Sequence, residues 1–127
     1  MAYRFDKHYT REEARALLPQ VRKWLKRMGN LRQEMETCDE RLKALRQAGE
    51  DLGGDWVNKL VRTLVEIREL LLEFYQREIQ IKDLERGLID FPAIIAGKEV
   101  FLCWEQREQD VDHWHDLDAG YSGRQPL

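Results

Sequence analysis

Apolar residues recur at Val21, Trp24, Met28, Leu31, Met35, Cys38, Leu42 and Leu45, a spacing of 3-4-3-4-3-4-3. Side chains so spaced fall on one stripe of an α-helix, and a stripe sustained over several heptads is a coiled-coil seam. A chain built this way is committed to a long helix with one side buried against another helix. The partner lies in the same sequence: Val57, Leu60, Leu64, Ile67, Leu71, Phe74, Glu78 and Ile81 repeat the spacing, with Glu78 the one polar member. Gly49 and Gly53-Gly54 supply the stop and the turn between them, and Asp55 is placed to cap the second helix. The expectation is an antiparallel helical hairpin, coiled-coil-like, over 11–49 and 55–86. A second stripe, Val61, Val65, Leu72, Tyr75 and Ile79, runs beside the first on the second helix. One seam covers the first helix, so the second stripe needs another cover. Two helices of about 45 Å make a thin core by themselves. The pattern therefore predicts a homodimer along the helices.

The first helix has a visible start. Thr10-Arg11-Glu12-Glu13 is a capping box, in which the Thr10 hydroxyl and the Glu13 carboxylate each accept from the other residue's backbone N–H. Pro19 cannot donate a helical bond, which predicts a short helix over 11–17 and a new one starting near Pro19. Gly87 closes the second helix, and the pattern then changes to strand. Leu88–Ile95 and Glu99–Trp104 flank Ala96-Gly97 as a β-hairpin. Pro92 makes the first run an edge strand or breaks it there. Val111–His115 reads as a third strand or a short helix, and 118–124 as loop. The fold class is thus α+β, mainly α, a helical hairpin followed by a β-hairpin or meander in 87–127.

At 127 residues the chain is expected to form a single domain. With 35% charged residues and no apolar run near the roughly 20 residues of a membrane span, a soluble, cytoplasmic protein is expected. Cys38 and Cys103 are too few for a disulfide framework and read as packed thiols. Charge is uneven: residues 1–35 hold nine Lys/Arg against four acids, and residues 105–118 hold six acids against Arg107. The favoured reading is attraction between these segments. Association of the basic first helix with nucleic acid is the weaker one, because no stacking aromatics interleave the basic residues.

Several blocks together carry a resemblance. Tyr9-Thr10, Glu13-Ala14, Leu17-Leu18-Pro19, Lys82-Asp83-Leu84, Gly87 through Pro92, Leu102-Cys103-Trp104, Trp114-His115 and Gly123 through Pro126 are similar to the bacterial domain-of-unknown-function family 2203. The resemblance covers essentially the whole chain, and its specific part is C-terminal. It implies a small protein of helical-hairpin type and assigns no activity. The family pattern has one histidine after the tryptophan, matched by His115, so a site requiring His113 as well departs from it.

The candidates for chemistry lie in that C-terminal block. On an extended strand His113 and His115 share a face. With Cys103 or Glu105 from the neighbouring strand, and Asp83 or Glu78 from the second helix, they offer nitrogen, sulfur and oxygen donors to zinc or another divalent transition metal. The alternative is that the histidines are surface groups, or that His115 makes one buried hydrogen bond. Arg124, with Ser122 and Tyr121 in a glycine-bearing loop, is a candidate anion site, against an internal pair between Arg124 and an acid. Asp83, Glu85 and Asp90 sit where helix meets strand and are read as caps or salt bridges before acid–base catalysts. No nucleophile, phosphate loop or cofactor signature is present, so the sequence leans away from an enzyme. It points to a dimeric scaffold with an unidentified protein partner, and to a metal- or anion-binding protein as the alternative.

Overall fold

The computed structural model describes residues 2–50 and 54–127; Gly53 of the expected turn lies outside them. Two long helices, α1 (Arg11–Gln47) and α2 (Asp55–Gln76), form a helical hairpin. They are followed by a five-stranded antiparallel sheet of β1 (Gln80–Asp83), β2 (Leu88–Ile95), β3 (Lys98–Trp104), β4 (His113–Asp116) and β5 (Gln125–Pro126), in sequential order. The fold is α+β, a helical hairpin with a C-terminal β-meander. No described helix is long and apolar enough to cross a membrane. The chain divides into two compact units, residues 1–25 with 73–127, and residues 26–72.

The unit of residues 26–72 is the hairpin itself. Met28, Leu31 and Cys38 of the α1 seam are buried, and Met35, Leu42 and Leu45 are half-buried. Arg27 reaches Glu66 at 2.6 Å, and the Arg41 guanidinium lies 5.5 Å from the Trp56 ring centre, which fixes an antiparallel pairing. Within residues 55–72, the buried and half-buried positions of α2 are Trp56, Val57, Leu60, Thr63, Ile67 and Leu70. Val57, Leu60 and Ile67 of the expected seam keep their places, while Thr63 and Leu70 stand in for the exposed Leu64 and Leu71. Thr63 tolerates this because its hydroxyl donates to the Lys59 carbonyl at 2.8 Å. Val61, Leu64, Val65, Leu71 and Leu72 are left 40–54% exposed.

In the other unit, α1 begins on the expected capping box. The Thr10 amide donates to Glu13 Oε1 at 3.0 Å, and the Glu13 amide to Thr10 Oγ1 at 3.1 Å. The helix does not stop at Pro19 but runs through it. Pro19 and Arg15, the residue whose carbonyl it leaves without a helical donor, are both exposed, while Leu18 and Val21 are buried. α2 ends at Gln76, short of the expected 86, in a Schellman motif. Ile79 N–H donates to the Phe74 carbonyl at 3.1 Å and Glu78 N–H to the Tyr75 carbonyl at 3.0 Å. Glu78 takes the left-handed position, φ 58°.

The strand register sorts the sheet into two faces. Ile89 pairs with Trp104, Phe91 with Leu102 and Ala93 with Val100, and all six are buried. This apolar face meets Tyr9, whose ring lies 5.2 Å from Phe91, and Arg22 of α1, 4.9 Å over Trp104. Burying a side chain such as Phe91 or Leu102 contributes about 2 kcal/mol. Pro92 does not break β2. β1 pairs no further along β2 than Asp90, and beyond it Tyr9 N–H donates to the Pro92 carbonyl at 2.7 Å. A missing N–H on that edge costs no ladder bond. The opposite face carries Asp90, paired with Cys103, and His113 and His115 of β4, paired with Cys103 and Phe101.

Candidate functional site

Three neighbouring strands bring Asp90, Cys103 and His115 together. Asp90 and Cys103 are direct cross-strand partners, and His115 is diagonal to Cys103 because it faces Phe101 two residues away. One donor atom from each lies within 4.8 Å of the others, and all three residues are buried. They line a cavity of about 140 Å³ with Lys82, Leu88, Ala119, Gly120 and Tyr121.

The hydrogen bonds determine where protons sit. His115 Nδ1 is 2.7 Å from the Asp116 carbonyl, which can only accept, so Nδ1 carries hydrogen. A neutral His115 then has a bare lone pair at Nε2. Nε2 is 3.0 Å from Asp90 Oδ2, so one further proton is shared across that contact. Burial raises the Asp90 carboxyl above its ordinary value, against the opposing pull of His115. Asp90 is 1% exposed; the Cys103 thiol lies against its carboxyl, and its other oxygen, Oδ1, accepts no N–H or O–H hydrogen bond. Burial first, and the charge of Asp90 second, push the Cys103 thiol up to about 12. A thiol held there is no nucleophile near neutral pH.

The remaining sequence candidates are arranged differently. His113 is half-buried and faces a separate cluster, its Nδ1 2.7 Å from an Arg124 amino group and 3.0 Å from Glu108 Oε2. Arg124 donates to Glu108 Oε1 at 2.6 Å and stacks 4.6 Å over Tyr121. Despite desolvation, Glu108 holds the Arg124 guanidinium above its ordinary value. The candidate anion-binding residue thus already faces a carboxylate, and Ser122 is exposed. Glu105 is buried but paired with Arg86 at 2.7 Å and Arg107 at 3.6 Å. Asp83 caps a turn, accepting from the Arg86 amide at 3.2 Å. Neither carboxylate belongs to the cluster of Asp90, Cys103 and His115.

Asp90 is the residue that sequence reasoning left out of the metal set. Its signal was present: one acid inside the apolar strand Leu88-Ile89-Asp90-Phe91. A lone acid in such a run needs a buried partner, and the partner is 25 residues away on another strand.

The fold and this site define a small α+β protein with a helical hairpin, a β-meander and a buried carboxylate–thiol–imidazole cluster. The chain belongs to the family described as "Uncharacterized conserved protein (DUF2203)", which matches residues 7–127. Comparison with curated proteins and with solved structures finds no significant match.

Proposed function

We propose that the protein is a homodimeric helical scaffold, in which the α2 stripe of one copy packs against that of a second and the β-meander is carried for a further partner. The supporting observation is the apolar stripe Val61, Leu64, Val65, Leu71 and Leu72, each 40–54% exposed. Five large aliphatic side chains on one helix face, interrupted by Arg68, form a stripe of the kind that soluble proteins cover. A second copy is the fitting cover, because a two-fold axis lets one patch meet itself. The exposed Arg68 within the stripe and Glu69 at its margin give each copy a cation and an anion to exchange across the axis. Light scattering is expected to give a dimer at micromolar concentration. Val65→Glu with Leu72→Glu is expected to give a monomer of unchanged helical content; monomeric wild type would refute the reading.

A cytoplasmic location suits two buried free thiols. Metal or small-anion binding in the C-terminal block around His113, His115 and Arg124 is the second reading. Its support is the Asp90 carboxyl, buried beside the Cys103 thiol and His115 with an oxygen that accepts no N–H or O–H hydrogen bond. Nucleic-acid association is weaker. Arg11, Arg15 and Arg22 of the basic helix are engaged by Val111, Asp112, Asp110, Gln106 and Glu108 of the same chain.

A further inference from the structure

We propose that Asp90, Cys103 and His115 bind one divalent transition-metal ion of the zinc class, with a fourth coordination position facing the cavity beside Lys82 and Tyr121. This deepens the second reading above and is independent of the dimer.

The donor set is one sulfur, one imidazole nitrogen and one carboxylate oxygen, the ligand types that zinc takes at about 2.3, 2.0 and 2.1 Å. Three protein ligands with one position left open is the arrangement of zinc sites that accept an exogenous ligand. His115 is prepared for the role. Its Nδ1–H donates to the Asp116 carbonyl, which fixes the ring and leaves the Nε2 lone pair on the side of Asp90. Imidazole ligands are oriented by that kind of backbone contact. Asp90 supplies an independent sign: a carboxyl group 1% exposed, whose Oδ1 accepts no N–H or O–H hydrogen bond and whose other neighbour is the Cys103 thiol. A buried oxygen in that state costs stability, and a cation removes the cost.

The distances are close to those required. Donor atoms in a tetrahedral zinc site are separated by about 3.3 to 3.7 Å, from the bond lengths above. Here Nε2 and Oδ2 are 3.0 Å apart, and all three atoms lie within 4.8 Å. Side-chain adjustments on the order of an ångström close the site without moving the three hydrogen-bonded strands. The cavity of about 140 Å³ has space for water or a small anion at the fourth position, and Lys82 favours the anion. Metal binding displaces the Cys103 thiol proton and the proton shared by Asp90 and His115, so affinity rises with pH. His113 belongs to the Glu108–Arg124 cluster and is outside the set.

The test is cobalt(II) titration of the full chain after chelator treatment, followed by zinc competition and elemental analysis. The expected result is a thiolate-to-cobalt charge-transfer band with tetrahedral ligand-field absorption, and one zinc per chain after loading. Cys103→Ser should abolish the charge-transfer band and weaken zinc at least tenfold. Asp90→Asn and His115→Gln should each weaken it, while Cys38→Ser and His113→Ala should leave the spectrum intact. Absence of a thiolate band in folded wild type would overturn the proposal without reference to any variant. So would zinc affinity unchanged in Cys103→Ser, or a band lost in Cys38→Ser. Light scattering, which decides the dimer, plays no part in this outcome.

Discussion

Ala96 sits in a backbone conformation that a side chain resists. The hairpin between β2 and β3 turns on Ala96 and Gly97 with φ 52° and 79°, both positive as a two-residue type I′ turn requires. Glycine adopts this without cost, but alanine is strained there by roughly 1 kcal/mol. Asparagine tolerates the same region, so Ala96→Asn is expected to raise stability by about 0.5–1 kcal/mol in urea unfolding. Gly87 is the converse case. It has φ 63°, and a Cβ there would lie 2.7 Å from the Gln106 Cβ and 3.3 Å from Leu25 Cδ1. Gly87→Ala combines left-handed strain with a collision against the Gln106 Cβ and should cost about 2 kcal/mol or more. Equal stability of the two variants would mean that neither turn is built as described.

Among elements, the end of α2 is decided by one residue playing two parts. Glu78 takes the left-handed turn that stops the helix, and its Oε2 accepts from the amides of Asp6 and Lys7 at 2.9 and 2.7 Å. Charge-assisted bonds of this kind outweigh the strain of the turn. Glu78→Ala should therefore destabilise by about 1–2 kcal/mol and speed hydrogen exchange at the Asp6 and Lys7 amides; unchanged protection there would contradict it. The heptad pattern reads Glu78 as a flaw in a longer helix, because a seam count registers only that the position is polar. What sequence makes legible is local: the Thr10–Glu13 box, the Ala96-Gly97 turn and the apolar run of β2. It misreads Pro19 as a helix boundary, because the cost of a proline depends on whether its side of the helix faces water. It picks Val57, Leu60, Ile67 and Phe74 of the α2 face but takes Leu64 and Leu71 for Thr63 and Leu70, because two adjacent apolar stripes are nearly equivalent until packing chooses. The site was half legible. His113 and His115 share a face by alternation, but the register of three strands brings His115 to Asp90 and directs His113 toward Arg124.

For the molecule as a whole, the uneven charge of the two ends becomes a dependence on pH. Arg15 meets Asp110 through two parallel contacts of 2.9 Å, and that bond holds the Asp110 carboxyl below its ordinary value. The Thr10 amide and then Lys7 do the same for Glu13. Glu99 is lowered too, since His8 and the amides of Arg4 and Phe5 outweigh its desolvation. A carboxyl lowered by folding contributes stability above its unfolded value, about 4 for these groups, and loses it as pH falls through the folded value. Asp90 has the opposite sign. Its folded value is raised, so its contribution is greatest below about pH 4 and declines as pH rises through the folded value. Three lowered groups against one raised group predict a melting temperature that drops on acidification below about pH 4. Asp110→Asn should lower the neutral melting temperature slightly and flatten the acid limb. Asp90→Asn, which mimics the protonated acid, should leave the acid limb unchanged and flatten the curve just above it. An Asp110→Asn protein as steep in acid as wild type would show that the pairing of the basic helix with the acidic segment does not stabilise the fold.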